Sequence, residues 1–322
     1  MSPLAGLVVK RLLQSVPLVF AVGTLGFVLV HLAPGDAVVA LSGEFAHEAV
    51  QEELRRSYGL DRSLPAQYLV YMGHLLRGDL GVSYYFQQPV SRVILERLPA
   101  TLLLVVPSLL LSTALGVLLG TLLAGTGRPR RARAVVAVAV SSNSVPVFWL
   151  AQLLLLAFSV RLGVFPVQGM VRPRIELSGA ALFFEVAWHS VLPVLALTLQ
   201  QLALIAVLTW TNLEEELRRE YVRAARSHGL FPETVRRHAL RNALLPVVTT
   251  VGSRMGALFS GAVLTETVFA WPGLGRLTVA AASNRDFPLV LGLFFFMTLA
   301  VLLSNLVTDV VYGLVDPRIQ TG

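Results

Sequence analysis

Long stretches without a formal charge alternate along this chain with short stretches dense in arginine. From Leu12 to Gly35 there is no Asp, Glu, Lys or Arg, and at 1.5 Å per residue such a helix spans the ~30 Å hydrocarbon layer. Similar runs predict spans over residues 12–34, 99–125, 134–160, 186–212, 246–269 and 287–309. Lys10 and Arg11 precede the first run, and Arg128, Arg130, Arg131 and Arg133 sit between the second and third. The positive-inside rule puts both basic segments in the cytoplasm, and six spans bring both termini there. The apolar core of the first run is longer than that of a cleaved signal peptide, so it reads as a retained anchor. The expected fold class is an all-α membrane protein with six transmembrane helices.

The polar stretch at residues 35–98 is expected outside the cytoplasm as a helical segment. Glu44 to Tyr58 has helical periodicity with Gly59 as a stop. Ser63 can cap a second helix running through Pro65, Tyr68, Met72 and Leu76 and ending at Gly78. Val90, Val93, Ile94 and Leu98 against Ser91, Arg92, Glu96 and Arg97 predict a short amphipathic helix lying in the interface before Pro99. A lid over a pore mouth and a packed cap both fit this segment, and the cap is preferred. Gly163, Pro166 and Gly169 mark a further outside loop, with Trp188 at its membrane edge.

Few polar residues fall inside the spans. Asn143 and Pro146 either bend the third span or line a wet path. Gln200 and Gln201 lie near the middle of the fourth, where amides must face protein or water; lining a cavity and bonding a neighbouring helix fit equally. Gly252, Gly256 and Ser260 form a small-residue stripe in the fifth that lets another helix approach. Arg254 is ~200° round from that stripe; snorkelling or a carboxylate partner is preferred over a pathway role. Glu266 and the WPGLG run close this span at its outer edge.

Composition narrows the function. The chain is 55% hydrophobic and 14% charged, with mean hydropathy +0.70, which belongs in a bilayer. Its net charge of +7 comes from basic residues interrupted by lipid-length apolar runs, so it orients the protein and does not bind nucleic acid. There is no cysteine, hence no thiolate metal site or cysteine nucleophile. Lys10, the single lysine, is preceded by LAGLVV, so no P-loop and no ATP site of that kind exists in this chain. The six histidines show no ligand spacing, and no metal site is expected.

Between the fourth and fifth runs lies EYVRAARSHGLFPETVRRHALRNALLP, Glu220 to Pro246. Ala224 and Ala225 favour a short helix, Gly229 can take the left-handed conformation that ends one, and Pro232 suits the first turn of the next. A helical hairpin at residues 218–245, exposed in the cytoplasm, is expected to carry the function.

Arg223-Ala224-Ala225, three residues, then Gly229 resembles the Glu-Ala-Ala-x-x-x-Gly loop of the membrane subunits of bacterial ABC importers. Arg223 replaces the glutamate, and Pro246 follows Gly229 later than in sugar-type importers. Both departures, with RHALRNALLPVVT, resemble the dipeptide/oligopeptide branch, which also includes nickel and glutathione permeases. The likeness extends to RLLQSVPLVF, HLAPGD, LRGDLGVSYYFQQPV, ERLPATLLL and GAVLTETVFAWPGLGRL. It implies the type I importer permease fold and a B-type subunit in the bacterial inner membrane, forming half of a peptide pathway. It also implies a second homologous permease subunit, two ATPase subunits holding ATP and Mg, and an extracytoplasmic binding protein. Glu220, Tyr221, Arg223, Ala224, Ala225, Ser227, His228 and Gly229 would be the ATPase-coupling residues. Asn143, Gln200, Gln201 and Arg254 would be pathway candidates, with no catalytic residue and no cofactor in this chain. The competing reading is a stand-alone secondary transporter, which would show carboxylates deep in the spans and internal repeats; neither is evident. A membrane enzyme would need a nucleophile and base or a metal constellation, and none is recognisable.

Overall fold

The computed structural model describes residues 3–32, 61–124, 145–173 and 177–315. The helix expected at Glu44 to Tyr58, the basic loop at Arg128 to Arg133, and Asn143 lie outside the described residues. Among the described residues the fold is helical throughout, with a single isolated bridge between Val82 and Pro89. The helices are α1 (Pro3–Leu32), α2 (Leu64–Leu76), α3 (Val90–Leu123), α4 (Val147–Leu154, continued by a wider π-helical turn over Leu155–Arg161), α5 (Gly179–Glu216), α6 (Glu220–Ser227), α7 (Pro232–Ser253), α8 (Met255–Val268), α9 (Leu274–Ser283) and α10 (Phe287–Val315). Four of them, α1, α3, α5 and α10, are long and apolar enough to cross a membrane.

Where capping chemistry was explicit, the elements follow it. Extended Ser63 precedes α2 without the side-chain capping bond its sequence suggested, Pro65 sits in the first turn, and Gly78, just beyond the end, has φ 77°. The amphipathic stretch from Val90 is not a separate interfacial helix but the first turns of α3, which runs on through Pro99 and Pro107. Val90, Val93 and Ile94 are buried against Leu274, Leu277, Ala281, Leu289 and Leu293. Three buried side chains at roughly 1.5–3 kcal/mol each outweigh the ~3 kcal/mol of a proline inside a helix. Pro246 likewise lies inside a helix, α7, which starts at Pro232 and ends at Ser253, where Arg254 separates it from α8. Pro146 stands just before α4, at its N-terminal boundary.

Close helix contacts run along small residues. Ser108, Ser112, Gly116 and Gly120 recur every fourth residue on α3, all buried. A Cβ on Gly116 would stand 2.7 Å from Ile205 Cγ2 and one on Gly120 2.6 Å from the Ala206 carbonyl oxygen, so α3 and α5 meet nearly backbone to backbone. The stripe anticipated in the fifth span faces α10: a Cβ on Gly252 would lie 2.0 Å from Thr308 Cγ2, and on Gly256 3.3 Å from Val301 Cγ2. Helix α1 packs on α10 through Gly26, whose added Cβ would meet Leu291 at 2.8 Å, and through the Arg11–Asp309 ion pair at 2.8 Å. It also packs on α2, where Thr24 and Tyr68 share a 2.7 Å hydrogen bond.

Candidate functional site

Helix α6 is eight residues long, too short to persist without tertiary support. That support is Val222, wholly buried among Leu213 of α5 and Val235, Ala239 and Ala243 of α7. The helix ends in a reciprocal pair of backbone bonds: Gly229 N–H donates to the Arg226 carbonyl at 3.0 Å, and Leu230 N–H to the Ala225 carbonyl at 3.1 Å. This is a Schellman closure, which requires a left-handed residue after the cap, and Gly229 has φ 76°. The Ala-Ala-x-x-x-Gly spacing follows from it: the second alanine supplies the accepting carbonyl four residues before the glycine. A Cβ on Gly229 would meet nothing within 4 Å, so conformation, not space, calls for glycine here. Pro232 then opens α7 at its first turn.

Side chains bind the hairpin to the bundle. Tyr221 donates to Glu216 Oε2 at 2.7 Å and accepts from Asn242 Nδ2 at 3.3 Å, joining α6 to α5 and α7. Partial burial, then the bond to Glu216, raises the Tyr221 phenol above its usual range, so it remains a neutral donor. Arg219 reaches Glu216 at 2.8 Å. The Arg236 guanidinium donates to the Thr121 carbonyl in the last turn of α3, a favourable place for a cation. Ser227 Oγ donates to the Ala224 carbonyl at 2.8 Å, and His228 Nδ1 lies 2.8 Å from the same oxygen. Glu220, Arg223, Ala224, Ser227 and His228 are exposed, and Ala225 is half-buried. Of the eight hairpin candidates, then, Tyr221, Ala225 and Gly229 shape the turn, while Glu220, Arg223, Ala224, Ser227 and His228 form its outer face. Glu216, Arg236 and Asn242, which position the hairpin, were not singled out by sequence; the signal available was a run of cations and amides too dense for a membrane flank alone.

The structure does not gather the pathway candidates. Gln201 is buried inside the bundle and Gln200 half-buried, both on α5. Arg254 sits at the α7–α8 junction, half-buried, and among the described residues no carboxylate lies within ion-pair distance of it.

A second polar cluster occupies the other end of α3. Glu266 is fully buried near the end of α8. Its carboxylate accepts from Thr101 Oγ1 at 2.6 Å and from the N–H groups of Arg276 (3.0 Å) and Gly275 at the start of α9. Thr101 Oγ1 in turn accepts from Leu274 N–H at 2.8 Å, and Trp271 Nε1 donates to the Ala100 carbonyl at 2.8 Å. The glycines of WPGLG have a steric reason: a Cβ on Gly273 would lie 2.2 Å from Glu266 Oε1 and one on Gly275 2.3 Å from Val263 Cα. Ten residues beyond α9's first turns, Asp286 repeats the device. Also buried, it accepts from Ser83 Oγ, from Tyr84 and Tyr85 N–H at 3.1 Å each, and from Leu289 N–H at 3.3 Å.

Comparison with known proteins finds matches over nearly the whole chain. Residues 116–321 match the family of binding-protein-dependent transport system inner membrane components, and residues 4–105 match the amino-terminal model of such components. The di/tripeptide transport system permease protein DppB of Pseudomonas aeruginosa is 37% identical, covering 97% of this chain and 98% of its own. The dipeptide transport system permease protein DppB of Escherichia coli is 35% identical over the same shares. The oligopeptide transport system permease protein AppB of Bacillus subtilis is 33% identical over 98% of this chain and 100% of its own. With long apolar helices and a match from end to end, this chain is an integral inner-membrane protein and belongs to the family of binding-protein-dependent transport system inner membrane components.

Proposed function

We propose that the chain is the permease subunit of a peptide importer, forming half of the pathway and coupling it to separate ATPase subunits through the hairpin at residues 218–245. The observation that carries this reading is the closed α6 turn with Gly229 at φ 76° and an exposed outer face of Glu220, Arg223, Ala224, Ser227 and His228. It presents small and charged side chains on a compact knob, joined to α3, α5 and α7 at once. The names of the three relatives specify di-, tri- or oligopeptides, which supports a peptide substrate and gives no support for nickel or glutathione. Partners would be a second homologous permease subunit, two ATPases binding ATP and Mg, and an extracytoplasmic binding protein. The chain itself would do no bond chemistry and hold no cofactor. Both termini and the hairpin would be cytoplasmic, residues 35–98 extracytoplasmic, and Gln200, Gln201 and Arg254 the described residues to test as pathway lining.

The complex reconstituted in proteoliposomes tests the coupling. Gly229→Val or Ala225→Trp should leave insertion intact and cut ATP-driven uptake of a labelled dipeptide about tenfold or more, with ATPase subunits lost on purification or hydrolysing without transport. Parental uptake by both variants would remove the hairpin from the mechanism. Ser178→Cys and Ser227→Cys, both at exposed positions and each labelled in intact cells with an impermeant thiol reagent, test the orientation; labelling at residue 227 from outside would overturn it.

A further inference from the structure

The hairpin's arginines divide into two sets. Arg218 and Arg219 face Glu214, Glu215 and Glu216, and Arg236 caps α3. Arg223, Arg226, Arg237 and Arg241 are exposed, and among the described residues none has an ion pair or a side-chain hydrogen bond; Arg223 and Arg226 are the two on the short helix. They sit three residues apart on α6, and a shallow cleft lined by Arg218, Arg219, Glu220, Tyr221 and Arg223 opens at its start. Directly after the turn comes Phe231, 78% exposed, more than any other large apolar side chain among the described residues. Leu32 and Leu69, next in exposure, sit on helices beside the apolar runs, where lipid or neighbouring protein can cover them; Phe231 lies between α6 and α7 among charged residues. A segment whose charge only fixed topology would need arginines but no bare aromatic ring at its tip. Aromatic and arginine side chains together are the composition of the few residues that carry most of an interface's binding energy.

We propose that Phe231 is the apolar anchor, and Arg223 with Arg226 its flanking cations, by which the hairpin engages an ATPase subunit whose facing groove holds an apolar socket bordered by carboxylates. This rests on the coupling reading above and names the chemistry of the partner surface. The ring gains by leaving water, and the unneutralised cations set orientation and attraction at long range.

The test uses the full complex in nanodiscs, measuring retention of ATPase subunits against salt concentration. Phe231 precedes the first residue of α7 with extended backbone, so Phe231→Ser keeps or improves the helix cap while removing the ring. It should weaken ATPase retention about tenfold at every salt concentration, and Phe231→Leu should restore most of it. Arg223→Gln with Arg226→Gln keeps helix propensity and should weaken retention at low salt while flattening its salt dependence. If these variants hold their ATPases as the parent does while Gly229→Val still uncouples transport, the hairpin couples through other residues and this proposal falls alone. If the arginine effect appears only with anionic lipid and vanishes in phosphatidylcholine nanodiscs, the cations serve the membrane surface and the proposal is likewise overturned.

Discussion

The two ends of α3 carry polar clusters of opposite construction. Thr101 and Thr121 are separated by twenty residues of one helix, ~30 Å along its axis. At Thr101 the polar groups are buried and mutually satisfied: one hydroxyl relays between Glu266 and Leu274, and the carboxylate caps a whole helix. At Thr121 a single arginine reaches over from α7, and the hairpin beyond it hangs on Val222, Tyr221 and Arg236, with its outer face exposed. Buried polar networks are costly to break because each lost partner strands another group, whereas exposed ones exchange partners cheaply. One end is therefore built to stay as it is, and the other to be met by something else.

The largest effects should follow from breaking the buried end. Gly275→Val places side-chain atoms where Val263 Cα and Glu266 already are, and no flexible group can give way. The full chain should fail to accumulate as folded protein in the membrane, read by size-exclusion of a fluorescent fusion. Glu266→Ala should be nearly as severe, since it strands the Thr101 hydroxyl and two backbone N–H groups in an apolar interior, an order of 3–5 kcal/mol. Glu266→Gln keeps one acceptor oxygen and should melt between parent and alanine variant. Equal melting temperatures for all three would mean the network contributes no stability.

Next in size is the α7–α10 contact. Gly252→Ala puts a methyl 2.0 Å from Thr308, but the obstacle is the end of a side chain, so Thr308→Gly in the same chain should relieve it. The single variant should lower the melting temperature and the double variant recover most of the loss. Failure of the second change to rescue would show that the helices are separated by something other than this pair.

How much of this was legible in the sequence depended on whether the cause was local. The start of α2 at Leu64 and Pro65 and the turn at Gly229 rest on residues adjacent in the chain, and the helices begin and end there. Pro99 misled because its local cost is real but is outweighed by Val90, Val93 and Ile94 finding α9 and α10 nearly two hundred residues away in the chain. The small-residue spacing of Gly252 and Gly256 was readable from the sequence, yet the partners they meet on α10, Thr308 and Val301, were not. Glu266 stands near the end of α8, and only the folded chain shows Thr101 and the α9 backbone meeting it.

The smallest and sharpest contrast sets Gly229 against Gly120. Both are glycines beside helices, but Gly229 has φ 76° and open space, while Gly120 is helical with the Ala206 carbonyl oxygen 2.6 Å from an added Cβ. At Gly229 the penalty comes from the left-handed backbone, about 1–2 kcal/mol for an ordinary residue and less for asparagine, which enters that region with local hydrogen bonding. At Gly120 it comes from volume, so every added atom makes it worse. The expected order of damage at Gly229 is Val above Ala above Asn, read as loss of ATP-driven dipeptide uptake with the melting temperature almost unmoved. At Gly120 alanine should be milder than asparagine, read as melting temperature first and transport only as a consequence. If asparagine is the worst of the three at Gly229, the position is crowded in the working complex, and the space left open around the turn is where the partner sits.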